Sequence, residues 1–295
     1  MRYKFRTGKD LLEICARENI PISEAALCFE IENGERDREQ VIAEMDKNLA
    51  TMEESIRQGL EEENISTTSL TGEDADRLLA FKGDSLMGSD LTIMTASAMA
   101  VVEVNASMGR IVAAPTAGAS GVLPGVVIGY CYLKKLPREK MLSALFNAAA
   151  IGIIIARNAS LSGASGGCQA EVGSGAAMAA SALTELRGGT PEQCLHAAAM
   201  TLKNLLGLVC DPVAGLVECP CIKRNAMGAV DAVLCSDMVM AGITSIIPFD
   251  EVVEAMRNVG RMMHPDLRET ARGGLADTPT ARMIEEKLRI EQVKA

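Results

Sequence analysis

Four cysteines on two irregular stretches carry the clearest chemistry in this sequence. Cys168 closes a glycine-rich run, Ser162-Gly163-Ala164-Ser165-Gly166-Gly167-Cys168, while Cys210, Cys219 and Cys221 lie in the segment from Val209 to Asn225. Thiolates on loops can converge on one metal centre as a single helix face cannot, and soft sulfur selects zinc, copper(I) or an iron–sulfur cluster. Spacing leaves these three open. There is no pair of CxxC knuckles, so the pattern does not indicate structural zinc, and a lone Cys-Pro-Cys is weak evidence. A second glycine-rich break runs from Pro115 to Gly121. Both breaks precede helical-looking segments, and such junctions offer unpaired N–H groups to a carboxylate or phosphate. The plainer reading is that small residues let buried helices pack closely.

The other five cysteines, Cys15, Cys28, Cys131, Cys194 and Cys235, read as small apolar core residues. Nine cysteines is an odd number, and Met1 to Arg6 builds no apolar leader, so the expectation is a reducing cytoplasm rather than a disulfide framework. A net charge of -10 argues against nucleic acid and anionic membrane as partners and favours a small-molecule substrate. The longest apolar stretch, Leu142 to Ala156, is interrupted by Asn147 and followed by Arg157; it reads as a buried core helix, short for a membrane span.

These residues must be held by helices. From Glu39 to Glu62, Ile42, Met45, Leu49, Met52, Ile56 and Leu60 recur every three or four positions and predict a long amphipathic helix. Its seam suits either its own domain or a partner. Residues 63–88 are polar and turn-rich and read as a linker. Beyond Gly88, Ala, Gly, Met and Val dominate with little β-type alternation, so the expectation is all-α: one large helical domain with glycine-rich loops between helices. The division is 1–88 for the N-terminal helical segment and linker, and 89–295 for the core. Thr190-Pro191-Glu192-Gln193 is a capping box with Gly207 closing the helix, Thr278-Pro279 opens another, and Asp250 is an N-cap candidate for a helix running towards His264.

Three segments together give a specific match: Ala114 to Val122, Ser162-Gly163 through Gly167-Cys168-Gln169-Ala170-Glu171-Val172-Gly173, and Cys210-Asp211-Pro212-Val213 running to Pro220-Cys221-Ile222-Lys223-Arg224-Asn225. The chain resembles the α chain, or catalytic domain, of iron–sulfur-dependent L-serine dehydratases from about Glu39 to Ala281, its first residues matching less. The resemblance implies L-serine as substrate, pyruvate and ammonia as products feeding gluconeogenesis, and a 4Fe-4S cluster held by Cys168, Cys210 and Cys221 with one iron left open. Cys219 stands where the family usually has an aliphatic residue and is read as a bystander. An open iron would act as a Lewis acid towards the substrate hydroxyl while a base removes the α-proton.

By placement, Thr116, Gly118, Ser162 and Gly163 are candidates to bind the substrate carboxylate, and Glu171 and Asn225 to meet the ammonium group or the cluster sulfurs. Lys223 is a candidate base, although a lysine must be desolvated to act near neutral pH. His196 and His264 fall outside the motifs and read as packing or surface residues. Single-chain relatives carry a further domain with a Ser-Ser-His-type motif and, in some, a terminal cysteine; the tail Glu291-Gln292-Val293-Lys294-Ala295 has none, so a separate β chain in a heterodimer is expected. The competing readings are a cysteine desulfidase-type β-eliminase on the same cysteine framework, a pyridoxal-phosphate eliminase for which no lysine has a recognisable context, and a non-catalytic metal-binding scaffold.

Overall fold

Local capping signals set many of the helix boundaries. The computed structural model describes residues 2–294, with side chains through Arg289. In chain order the helices are α1 (Gly8–Glu18), α2 (Ile22–Gly34), α3 (Arg38–Glu61), α4 (Asp74–Ala80), α5 (Gly88–Ala106), α6 (Val122–Leu133), α7 (Arg138–Asn158), the single turn α8 (Gly163–Gly166), α9 (Cys168–Leu186), α10 (Pro191–Asn204), α11 (Cys221–Met240), α12 (Phe249–Met262) and α13 (Pro279–Lys294). Among the described residues there is no strand, so the all-α class is as expected. Reciprocal capping boxes open α1 (Thr7 with Asp10), α3 (Asp37 with Gln40) and α10 (Thr190 with Gln193), each satisfying N–H groups that a helix start leaves unpaired.

The centre of the fold is α9, buried on every side from Cys168 to Thr184 and packed against α6, α7, α10 and α11. Its Ala, Gly and Ser positions keep the helix thin enough for so many neighbours to approach, and a helix without a polar face belongs in a core. At 21 residues α7 is longer than the apolar stretch that marks it, and by length and composition it is apolar enough to span a membrane. Yet 61% of its most apolar window is buried within the protein, against α2 and α9 among others, which is the core-helix arrangement.

Long-range contacts revise three local readings. The seam of α3 is consumed internally: Leu49, Met52 and Ile56 are buried, and the helix packs on α2, α4, α5, α6 and α7, so it leaves little apolar stripe for a partner. Asp250 lies inside the first turn of α12 and instead accepts from the Gly8 and Lys9 N–H groups, at 2.6 and 3.0 Å, capping α1. The segment read as a linker contains α4, whose first N–H groups, on Asp74 and Ala75, are accepted by the buried Glu103 carboxylate of α5. The tail from Glu291 has no described side chains, and Ala295 lies outside the described residues.

Burial raises the Glu103 pKa to about 7, its capping contacts opposing only part of that cost. The folded state therefore keeps this proton to higher pH than the unfolded chain, so its contribution to stability is full below the unfolded carboxyl pKa and falls as pH rises towards and past 7. Urea unfolding of Glu103→Gln should show a weaker loss of stability between pH 5 and pH 8 than the parent chain, by roughly 2 kcal/mol. Parallel profiles would mean that Glu103 is already ionised in the fold.

Candidate active site

Two of the motif cysteines begin helices. Cys168 is the first residue of α9 and Cys221 the first of α11, where the positive end of the helix dipole favours thiolate over thiol. Cys210 sits between them on an extended segment clamped by the chain from Leu267 to Glu269: its N–H donates to the Leu267 carbonyl at 2.9 Å, and its carbonyl accepts from Glu269 N–H at 2.7 Å. All three are buried, whereas Cys219 is partly exposed.

Their electrostatics differ by position. Interaction with the neighbouring Cys210 thiol, and then with the Arg224 guanidinium, holds Cys168 below the ordinary thiol pKa, while the Cys168 neighbour and burial raise Cys210. Cys221 is pushed up to about 12, first by burial and then by the charges of Cys168 and Glu171. Burial likewise raises the pKa of Glu171, whose Oε2 lies 3.7 Å from Cys210 Sγ.

The two glycine breaks close around this carboxyl. A Cβ on Gly163 would stand 2.7 Å from Glu171 Oε2 and 2.9 Å from Cys210 Sγ, and one on Gly118 would stand 3.3 Å from Glu171 Oε2. Only hydrogen in place of a side chain permits that approach at Gly163. Thr116 Oγ1 is buried beside Glu171 but makes no hydrogen bond of good geometry to it, which leaves the hydroxyl able to turn to a ligand. Ser162 caps α8 through its backbone alone, its carbonyl accepting from Ser165 and Gly166 N–H.

Two candidates lie elsewhere than placement in sequence suggested. Lys223 points outward, exposed and ion-paired with Asp74, so it is neither desolvated nor near the cysteines. Asn225 is fully buried, but its amide is spent: Oδ1 accepts from Gly121 N–H at 3.0 Å and Nδ2 donates to the Gly118 and Cys221 carbonyls at 2.7 and 2.9 Å. It ties the Pro115–Gly121 loop to the start of α11. His196 accepts from Ser245 N–H, and the exposed His264 from Asp266 N–H; among the described residues neither is hydrogen-bonded to a cysteine.

Two residues of the site went unnoticed. Arg224 reaches Cys168, donates to the Val209 carbonyl at 2.8 Å and pairs with the buried Asp211 at 2.8 Å. Helical spacing signals it, because positions 221, 224, 225 and 228 share one face of α11 while 223 lies about 200° away around the axis. Glu218 is buried before Cys219 and accepts from Thr68 Oγ1 at 2.9 and 3.0 Å and from Thr71 Oγ1 at 3.1 Å, so the segment read as a linker pins the loop that carries Cys221. No local pattern announces that contact.

Arg224→Met should destabilise the chain by about 3 kcal/mol, because it leaves Asp211 buried without its cation. Urea midpoints measure it, and a change below about 1 kcal/mol would mean that the pair behaves as a solvent-screened surface pair.

An all-α core in which helix-start thiols, a buried carboxyl and two glycine loops are brought together defines a helical catalytic chain. The family model for the serine dehydratase alpha chain matches residues 17–276. The "Probable L-serine dehydratase, alpha chain" of Bacillus subtilis is 51% identical over 286 residues, covering 96% of this chain and 95% of the relative. The "L-serine dehydratase, alpha chain" of Peptoniphilus asaccharolyticus is 41% identical over 280 residues, covering 94% and 96% respectively. The "L-serine dehydratase" of Streptomyces coelicolor is 40% identical over 284 residues, which are 94% of this chain but 61% of the longer relative. The chain belongs to the serine dehydratase alpha chain family.

Proposed function

We propose that this chain is the catalytic subunit of a two-chain, cytoplasmic L-serine dehydratase that converts L-serine to pyruvate, a gluconeogenic precursor, and ammonia, with a 4Fe-4S cluster held by Cys168, Cys210 and Cys221. The observation that carries this reading is the convergence of three buried thiols with the Glu171 carboxyl and the Thr116 hydroxyl. Among the described residues no three His, Cys, Asp or Glu side chains gather closely enough for a single metal ion. The donor set is soft, as an iron–sulfur cluster requires.

When bound, the cluster supplies a Lewis acid that eases departure of the substrate hydroxyl. Thr116 Oγ1 and the loop at Gly118 hold the substrate carboxylate, with Ser162 and Gly163 beside them. Glu171, buried 3.7 Å from Cys210 Sγ, pairs its carboxylate with the substrate ammonium. Asn225 and Glu218 fix the loops on which these groups ride, and Arg224 holds Cys168 as thiolate. The elimination breaks Cα–H and Cβ–O bonds. Water leaves, and the resulting aminoacrylate tautomerises and hydrolyses to pyruvate and ammonia without further help. Residues 1–88 form a layer that buttresses the 89–295 core.

Anaerobic reconstitution with iron and sulfide, followed by a pyruvate assay on L-serine with the β chain present, tests this reading. The expected result is equal iron and acid-labile sulfide with turnover of L-serine. No iron uptake beyond that of a chain lacking the three cysteines, or sulfide release from L-cysteine without turnover of L-serine, would overturn it.

A further inference from the structure

Behind the glycine turn that carries Gly163 lies a separate cavity of about 260 Å³, half enclosed, between α12 and the stretch from Ala159 to Gly166. Its polar lining comes from Ser160, Ser165, Arg257 and Arg261, and no carboxylate lines it. In a chain of net charge -10, two arginines facing one cavity without an acid in its wall is an unbalanced arrangement. They stand four residues apart on α12 and so share one face.

The donors are largely unspent. Arg257 Nε is buried without a partner, and only its outer edge is engaged, Nη2 donating to the exposed Glu254 at 3.0 Å. Arg261 has no acidic partner among the described residues. Ser160 Oγ accepts from Ser162 N–H at 3.1 Å, which leaves its hydroxyl hydrogen to donate into the cavity. A buried guanidinium N–H without an acceptor is costly, and a bound oxyanion is the group that satisfies it with charge-assisted bonds.

We propose that this cavity is a binding site for a small oxyanion, a phosphate or a carboxylate, held by Arg257 and Arg261 with Ser160 and Ser165. The site is separate from the cysteine cluster and does not rest on the proposed reaction. Its position gives it leverage on that site all the same: an anion here bridges α12 to the turn that carries Gly163, which lies against Cys210 and Glu171. Occupancy stiffens that turn.

The test is calorimetric titration of the purified chain with inorganic phosphate and, separately, with pyruvate, in chloride matched for ionic strength, together with the Arg257→Gln/Arg261→Gln and Arg261→Gln variants. One site per chain is expected for phosphate or pyruvate, whichever binds identifying the source of the oxyanion, and the double variant should lose at least about tenfold in affinity. Arg261 is exposed, so its single variant should unfold at the parent temperature in chloride, while losing the rise in unfolding temperature that the anion gives the parent. The proposal is overturned if neither anion binds saturably, if chloride alone gives the same response, or if the double variant binds as the parent does. It is overturned as well if neither anion binds but the variants weaken association with the β chain, which would make the arginines a protein contact.

Discussion

Replacing Cys168, Cys210 or Cys221 singly with serine is expected to abolish both iron retention and serine turnover, while Cys219→Ser keeps both. Hard alkoxide is a poor substitute for thiolate at iron, and the Lewis acid supplies several kcal/mol to the elimination, so the loss in kcat should reach at least about 10³-fold. Burial separates the two groups of cysteines: the three candidate ligands are enclosed and electrostatically linked to one another, whereas Cys219 is partly exposed and its carbonyl accepts from Val213 N–H in the loop. Iron and acid-labile sulfide analysis after anaerobic reconstitution reads the outcome independently of activity. A Cys219→Ser chain without iron, beside a Cys221→Ser chain that keeps it, would reverse the assignment.

The second large effect should come from adding a partner. Among the described residues neither histidine is hydrogen-bonded to a cysteine, the one lysine that the motifs offered is on the surface, and the matched relatives of similar length are named as alpha chains. We expect the α chain, loaded with iron and sulfide, to turn over L-serine at least about 100-fold more slowly alone than with the β chain, since a misplaced or missing positioned group costs that much. Exclusion of water from the iron face by the partner would act in the same direction. Steady-state kcat and KM, with and without the β chain, decide it. Equal values in both preparations would show that the α chain contains every group the reaction needs.

The contrast between Lys223 and Arg224 shows how far a linear reading reaches. Both lie beside Cys221, but a helix turns about 100° per residue, so one faces Cys168 and the other meets Asp74 at the surface. Periodicity could have separated them once α11 was known to begin at Cys221 itself.

What the sequence determined alone was whatever depends on near neighbours and on composition: the helical class, the capping box at Thr190, the proline start at Pro279 and the buried character of α7. Each is an interaction within a few residues, or a burial preference summed along one element. Tertiary structure decided which polar groups meet. Asp250 caps α1 rather than its own helix, Glu103 caps α4, Thr68 and Thr71 anchor Glu218, Asn225 ties the Pro115–Gly121 loop to α11, and the Leu267–Glu269 segment clamps Cys210. A buried donor or acceptor must find a partner, yet its type says nothing about where along the chain that partner lies; only the packing of α9 among its neighbours brings such residues together.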